Sequence, residues 1–297
     1  MDAVNSEVKK IKVWVFAATS PGCAFATEAS LNSIYQRSHG LKLDLCLSVQ
    51  TSQDEEYLRS SYPDANIFYP QLNRIECLKN KPRYRSAIHS EILNESWKMK
   101  TDSDFAIIMD NDVILTGSQE LNDLFNIMKS NQAVIFGTSF PKQNLLSRLI
   151  GHIDFKPLGV PNLIFSLLDL SYYKKFYSIC DFGNLMLDSK NTFFDDSAPK
   201  KLQGKMIDTA AKLYTQPIME NRNYLTFSCI NSFHPYFPGS MKNFLLGGVH
   251  SPELYSFKGI DLNIHHFKKL SAPSFLDTKD RKAAYESWRL KITRAYS

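Results

Sequence analysis

Two carboxylates one residue apart, Asp110 and Asp112, close the apolar run Ala106-Ile107-Ile108-Met109, and Val113-Ile114-Leu115 follows them. An unbroken apolar run of that length, bounded by polar residues, reads as a short buried strand. In a parallel sheet the strand interior is apolar on both faces, and ligands collect where the carboxyl ends of the strands open onto loops. Asp110 and Asp112 stand at such an opening. Side chains at i and i+2 point the same way on an extended backbone, so both carboxylates can reach one hard divalent cation. Asn and Asp are also common turn residues, so the Asp110-Asn111-Asp112 triplet alone reads as a polar turn as well. Its setting, between an apolar strand and a return to apolar chain, is what favours a metal site.

Other chemistry-bearing residues lie upstream and far downstream. Residues 83–99 have a helical pattern, with Ala87, Ile88, Leu93 and Trp97 as an apolar face and Arg85 and His89 one turn apart. A helix leading into the acidic strand directs such residues toward the ligand edge of a sheet. Near the end, His265-His266 is followed by Lys268-Lys269. Imidazole can complete a cation site begun by carboxylates, and lysine supplies mobile positive charge for phosphate.

The elements that must position these groups follow a βαβ rhythm. Residues 11–18, IKVWVFAA, are dense in β-branched and aromatic residues and predict a first strand, broken at Thr19-Ser20-Pro21-Gly22. A helix over 24–37, a strand over 41–49, a short helix over 54–61 and a strand over 66–69 complete the opening of a doubly wound sheet. After the acidic motif come a helix over 117–129 and a strand over 132–137. Farther on, residues 162–170 form a strand or buried segment ending in Asp169, and 206–214 have a helical pattern with Asp208 near its start, where an acidic residue caps.

Length and composition are those of one large α/β domain or two small ones. The chain has 297 residues, 43% hydrophobic and 22% charged, with a net charge of +5. That mild basicity suits a phosphate-bearing ligand and falls short of a nucleic-acid footprint. Five scattered cysteines, with no metal-ligand spacing, fit reduced thiols in a cytoplasmic protein. No apolar run approaches the length of a membrane span, so no integral membrane segment is expected.

MDNDV after a hydrophobic strand resembles the Asp-any-Asp motif of GT-A glycosyltransferases. The resemblance implies a single GT-A-like domain, Rossmann-type, with a mostly parallel sheet flanked by helices. Residues 1–138 would form the nucleotide-sugar-binding half, and 139–297 a mixed, acceptor-binding half with a C-terminal closing segment. It further implies Mn²⁺ or Mg²⁺ on Asp110, Asp112 and a late histidine, with His265 favoured because it lies nearer the strand-like residues 262–264. Thr19, Arg85, His89, Asn111 and Lys268 would meet a nucleotide-diphosphate sugar donor. The acceptor, a glycan or other hydroxyl compound, would meet Asp169, Asp181, Asn184 and Asp208, with Asp208 and Asp169 as catalytic carboxylates. No Glu-Asp pair marks the acceptor half, which leaves the general base without a sequence signature. A nucleotidyltransferase would use the same acidic pair, although no GxxxxGK[ST] loop follows the first strand. A non-catalytic nucleotide-sugar-binding module is the third reading.

Overall fold

The computed structural model describes residues 10–71, 84–99, 102–139, 159–174, 212–231, 253–267 and 278–296; within these, 84–88, 212, 231, 278–281 and 296 are described as backbone only. The opening runs β1 (Ile11–Ala18), α1 (Ala24–Tyr35), β2 (Leu41–Ser48), α2 (Ser52–Ser61) and β3 (Asn66–Phe68). Then come α3 (Tyr84–Trp97), β4 (Phe105–Asp110), β5 (Val113–Thr116), α4 (Leu121–Ser130), β6 (Ala133–Ser139) and β7 (Pro161–Asp169). The rest is α5 (Leu170–Tyr173), α6 (Lys212–Met219), β8 (Asn223–Asn231), β9 (Glu253–Ser256), β10 (Asn263–His266) and α7 (Thr278–Tyr296).

The strands make one mixed sheet flanked by helices, in the order β3-β2-β1-β4-β7-β6-β8-β9-β10-β5. It is parallel through β3-β2-β1-β4, and beyond β4 every pairing but β6 with β8 is antiparallel. The parallel part carries strands buried on both faces, as its unbroken apolar sequence requires. Val13, Val15 and Ala17 join Phe105, Ile107 and Met109 in one core, while Trp14 and Phe16 join Ala106 and Ile108 in the other. The period of two along β1 and β4 therefore divides the apolar residues between two helix-covered faces.

β4 is fourth and β5 is last, yet only Asn111 and Asp112 connect them. Three Cα–Cα steps span at most about 11 Å, so the far edge of the sheet must curl back onto its middle. The curl carries β9 and β10 to the carboxyl end of β4. A third apolar cluster holds it there: Tyr285, Trp288 and Ile292 of α7 pack on Ile114, Phe267, Cys23 and Ala26. Gly117, just past β5, has φ +98°, and an added Cβ would strike the Asp261 carbonyl, so this turn requires glycine.

Candidate metal centre

Register places the Asp110-Asn111-Asp112 turn. Ala18 at the end of β1 pairs with Asp110, and Ser48 at the end of β2 pairs with Ala18, so the turn lies at the carboxyl ends of parallel strands. On its other side, Val113 pairs with His266, and the Phe267 N–H donates to the Asp112 carbonyl at 3.1 Å. Ser30 of α1 fixes the middle of the turn by donating to the Asn111 carbonyl at 3.0 Å. The backbone of the motif is thus tied to three elements before any side chain is considered.

The side chains converge. His266 Nε2 lies 3.5 Å from Asp110 Oδ2 and 3.3 Å from Asp112 Oδ1. One ligand atom from each of these residues falls within 4.8 Å of the other two. Bonds of about 2.0–2.2 Å to a shared cation would set cis ligands roughly 3 Å and trans ligands about 4.3 Å apart. The observed separations suit that geometry. Two carboxylates and an imidazole are also the donor mixture of a hard-to-borderline divalent ion such as Mn²⁺. At the same turn, the buried Asn111 Nδ2 has no hydrogen-bond partner among the described residues. The residues present therefore fit a divalent cation with a polar ligand beside it.

Electrostatics point the same way. His266 and Asp112 are buried, while the Asp110 side chain keeps 28% of its exposure and opens the site to solvent. Burial opposes charge on His266, but Asp112 and then Glu253 outweigh it and push the imidazole up to about 10. The ring is thereby held as a cation among carboxylates. A ligating imidazole is neutral, so a divalent ion held by His266 would displace its proton.

The sequence-based expectations meet this geometry unevenly. Asp110 and Asp112 converge as expected, but the histidine beside them is His266 and not the favoured His265. The strand runs through His266, and successive strand residues face opposite sides. His265 pairs with Ile114 and Leu254, and its Nε2 lies 2.8 Å from Thr116 Oγ1, packed edge-on to Trp288. It is fully buried. His89 does reach the site, with Nδ1 3.8 Å from Asp110 Oδ1. Arg85 stands one helical turn before it, its side chain outside the described residues.

Thr19 lies just beyond Ala18 at the correct edge of the sheet. Its hydroxyl, however, turns inward to Thr27 Oγ1 at 3.0 Å. Asp169 is at the wrong end of the sheet: it pairs with Phe105, five residues and roughly 17 Å along β4 from Asp110. There its carboxylate caps α5 by accepting from the Ser171 N–H at 2.9 Å, and it lines a cleft of about 380 Å³ with Lys10, Asp104 and Lys129. That cleft is remote from the carboxylate pair, and Asp169 has no part in the metal centre. Asp208, Asp181, Asn184 and Lys268 lie outside the described residues.

Sequence reasoning missed Glu253 and Tyr255. Glu253 Oε2 accepts from His266 Nδ1 at 3.1 Å and from the Tyr255 hydroxyl at 2.7 Å. A usable signal existed in the alternation of Glu253-Leu254-Tyr255, polar and aromatic groups sharing one face of a short strand, but only the pairing with β10 gives it meaning.

No protein-family model and no curated protein matches the sequence. Among solved structures, the chain is similar to the galactosyltransferase LgtC in complex with donor and acceptor sugar analogs: 13% identity, TM-score 0.47, covering 94% of this chain and 95% of that one. It is similar also to the mannosyltransferase PcManGT from Pyrobaculum calidifontis, in complex with GDP-Man and Mn²⁺: 11% identity, TM-score 0.44, 97% and 74% coverage. A third is mouse xyloside xylosyltransferase 1, at 11% identity, TM-score 0.44, with 73% and 85% covered. At these scores the likenesses carry no assignment of their own, and function has to be argued from the side chains. Among the described residues, no helix is long and apolar enough to cross a membrane.

Proposed function

We propose that this chain is a divalent-metal-dependent glycosyltransferase that moves a sugar from a nucleotide-diphosphate donor to a hydroxyl acceptor. The observation that carries the reading is the convergence of Asp110, Asp112 and His266 at the carboxyl ends of parallel strands, partly open to solvent through Asp110. That is where an α/β sheet binds a nucleotide, and a two-carboxylate, one-imidazole set suits a cation that bridges a diphosphate. When bound, the cation supplies electrostatic stabilisation of the charge that develops on a departing diphosphate.

The chain's own residues do the rest. Asp110, Asp112 and His266 hold the ion, and Ser30 and Phe267 keep their turn rigid. His89, with Nδ1 3.8 Å from Asp110 Oδ1, is assigned a phosphate oxygen of the donor as its partner. Asn111 Nδ2 offers a further donor at the same turn. Arg85, one turn before His89, and Lys268, next after Phe267, are assigned the fixed positive charge. Of the two carboxylates expected to activate an acceptor hydroxyl, this reading keeps Asp208, since Asp169 sits at the opposite end of β4.

The test is incubation of the protein with a panel of nucleotide sugars and Mn²⁺, with and without chelator. Release of nucleoside diphosphate that the chelator abolishes is the expected result. Pyrophosphate release would identify a nucleotidyltransferase instead, and tight donor binding without turnover a binding module.

A further inference from the structure

The metal centre does not end at its three ligands. Behind His266 runs a buried polar chain through four strands. His266 Nδ1 donates to Glu253 Oε2 at 3.1 Å, across the β9–β10 pair in which these two residues are directly opposed. The same oxygen accepts from the Tyr255 hydroxyl at 2.7 Å. Asn162 of β7 lies close enough to that hydroxyl to affect its ionisation, and its own side-chain oxygen accepts from Thr138 of β6. All five residues are buried, with Glu253, Tyr255 and Thr138 at 1%, 0% and 0% exposure.

Such a chain is unfavourable to build unless something needs it. A carboxylate removed from water costs several kcal/mol unless it is paired and hydrogen-bonded. Two donors are aimed at one oxygen of Glu253. The geometry has one directional consequence. With Nδ1–H committed to Glu253, the remaining ring nitrogen, Nε2, faces Asp110 and Asp112 with its lone pair available whenever the ring is neutral. Strand pairing limits ring rotation from one side, and Tyr255 prevents Glu253 from swinging away on the other.

We infer that Glu253 is the positioning residue of the metal centre, and that Tyr255, whose hydroxyl donates to it, holds it in place. Resting on the metal reading above, this makes the site a carboxylate–histidine–cation arrangement rather than a three-ligand cluster. Glu253 fixes the tautomer and rotation of His266 and raises the basicity of Nε2 as a ligand. It touches neither substrate nor cation. Its contribution is to metal affinity, and through that to turnover at limiting metal.

The experiment uses the full chain after chelator treatment, titrated with Mn²⁺ alone and read by the free-ion signal in electron paramagnetic resonance. Histidine-labelled protein with Mg²⁺ reports the His266 tautomer by nitrogen NMR in parallel. Glu253→Gln, which keeps an acceptor but not the charge, is expected to weaken Mn²⁺ binding by about 10–100-fold. Tyr255→Phe should weaken it several-fold and blur the tautomer. A folded Glu253→Gln protein with wild-type Mn²⁺ affinity and an unchanged His266 tautomer overturns the inference. If Glu253→Gln fails to fold, Tyr255→Phe decides alone, and wild-type affinity with an unchanged tautomer in that variant overturns it equally. A wild-type protein that takes up no Mn²⁺ brings down the metal reading itself, a different failure from a variant that binds as the wild type does.

Discussion

Replacing His266 by Gln in the chelator-treated protein should remove the imidazolium placed between Asp112 and Glu253. The ring's rise from 6.5 to about 10 means that folding favours its charged form. At pH 7 about three pH units of that rise are expressed, which at about 1.4 kcal/mol each comes to something on the order of 4 kcal/mol. The loss expected when one member of a buried charge pair is deleted, about 3–5 kcal/mol, is of the same size. Since the folded value lies above the unfolded one, the stabilisation is complete below about pH 6.5, declines through the interval up to about 10, and is absent above it. Urea unfolding of wild type and variant at several pH values should therefore show a gap that is widest near neutrality and narrows toward pH 10. His265→Gln is the control. It removes the hydrogen bond to Thr116 Oγ1, a contact that involves neither Asp112 nor Glu253, at a cost of about 1 kcal/mol. Equal losses for the two variants, flat across the range, would refute the placement of His266 as the charged partner.

Asp112→Asn keeps the shape of the turn but removes one charged ligand, so metal-dependent turnover should fall to background while the far-ultraviolet circular dichroism spectrum is retained; normal turnover in Mn²⁺ would remove Asp112 from the site. Asp169→Ala should leave turnover and Mn²⁺ affinity untouched and lower stability by about 1 kcal/mol through loss of the α5 cap, measured by urea midpoint alongside a donor-hydrolysis assay.

What the sequence revealed and what it hid follow one physical division. The parallel half was legible because its strands are buried on both faces, and continuous runs such as IKVWVFAA and FAIIM leave no doubt about their character. The acidic turn was legible for the same reason, since charge after such a run stands out. Asp112 nevertheless proved buried, where a strand-end carboxylate reads as exposed. Choosing between His265 and His266 required the parity of β10, and parity is set by partners some 150 residues away in β5. Short antiparallel strands such as ELYS and NIHH hold too few residues to display a period. Glu253 was invisible for that reason: its role is a cross-strand pairing, and no local pattern encodes it. Asp169 misled because an acid after a buried strand looks the same at either end of a sheet. Only the antiparallel direction of β7 shows that it caps a helix, opposite the end where Asp110 stands.

The most direct test of the central claim is anomalous diffraction at the manganese edge from crystals of the protein grown with Mn²⁺. The account predicts a single strong peak about 2.0–2.3 Å from Asp110, Asp112 and His266 Nε2, with Glu253 still bonded to Nδ1 and His265 still turned to Thr116. Saturating Mn²⁺ with no peak at that turn, or a peak ligated by His265, would contradict it.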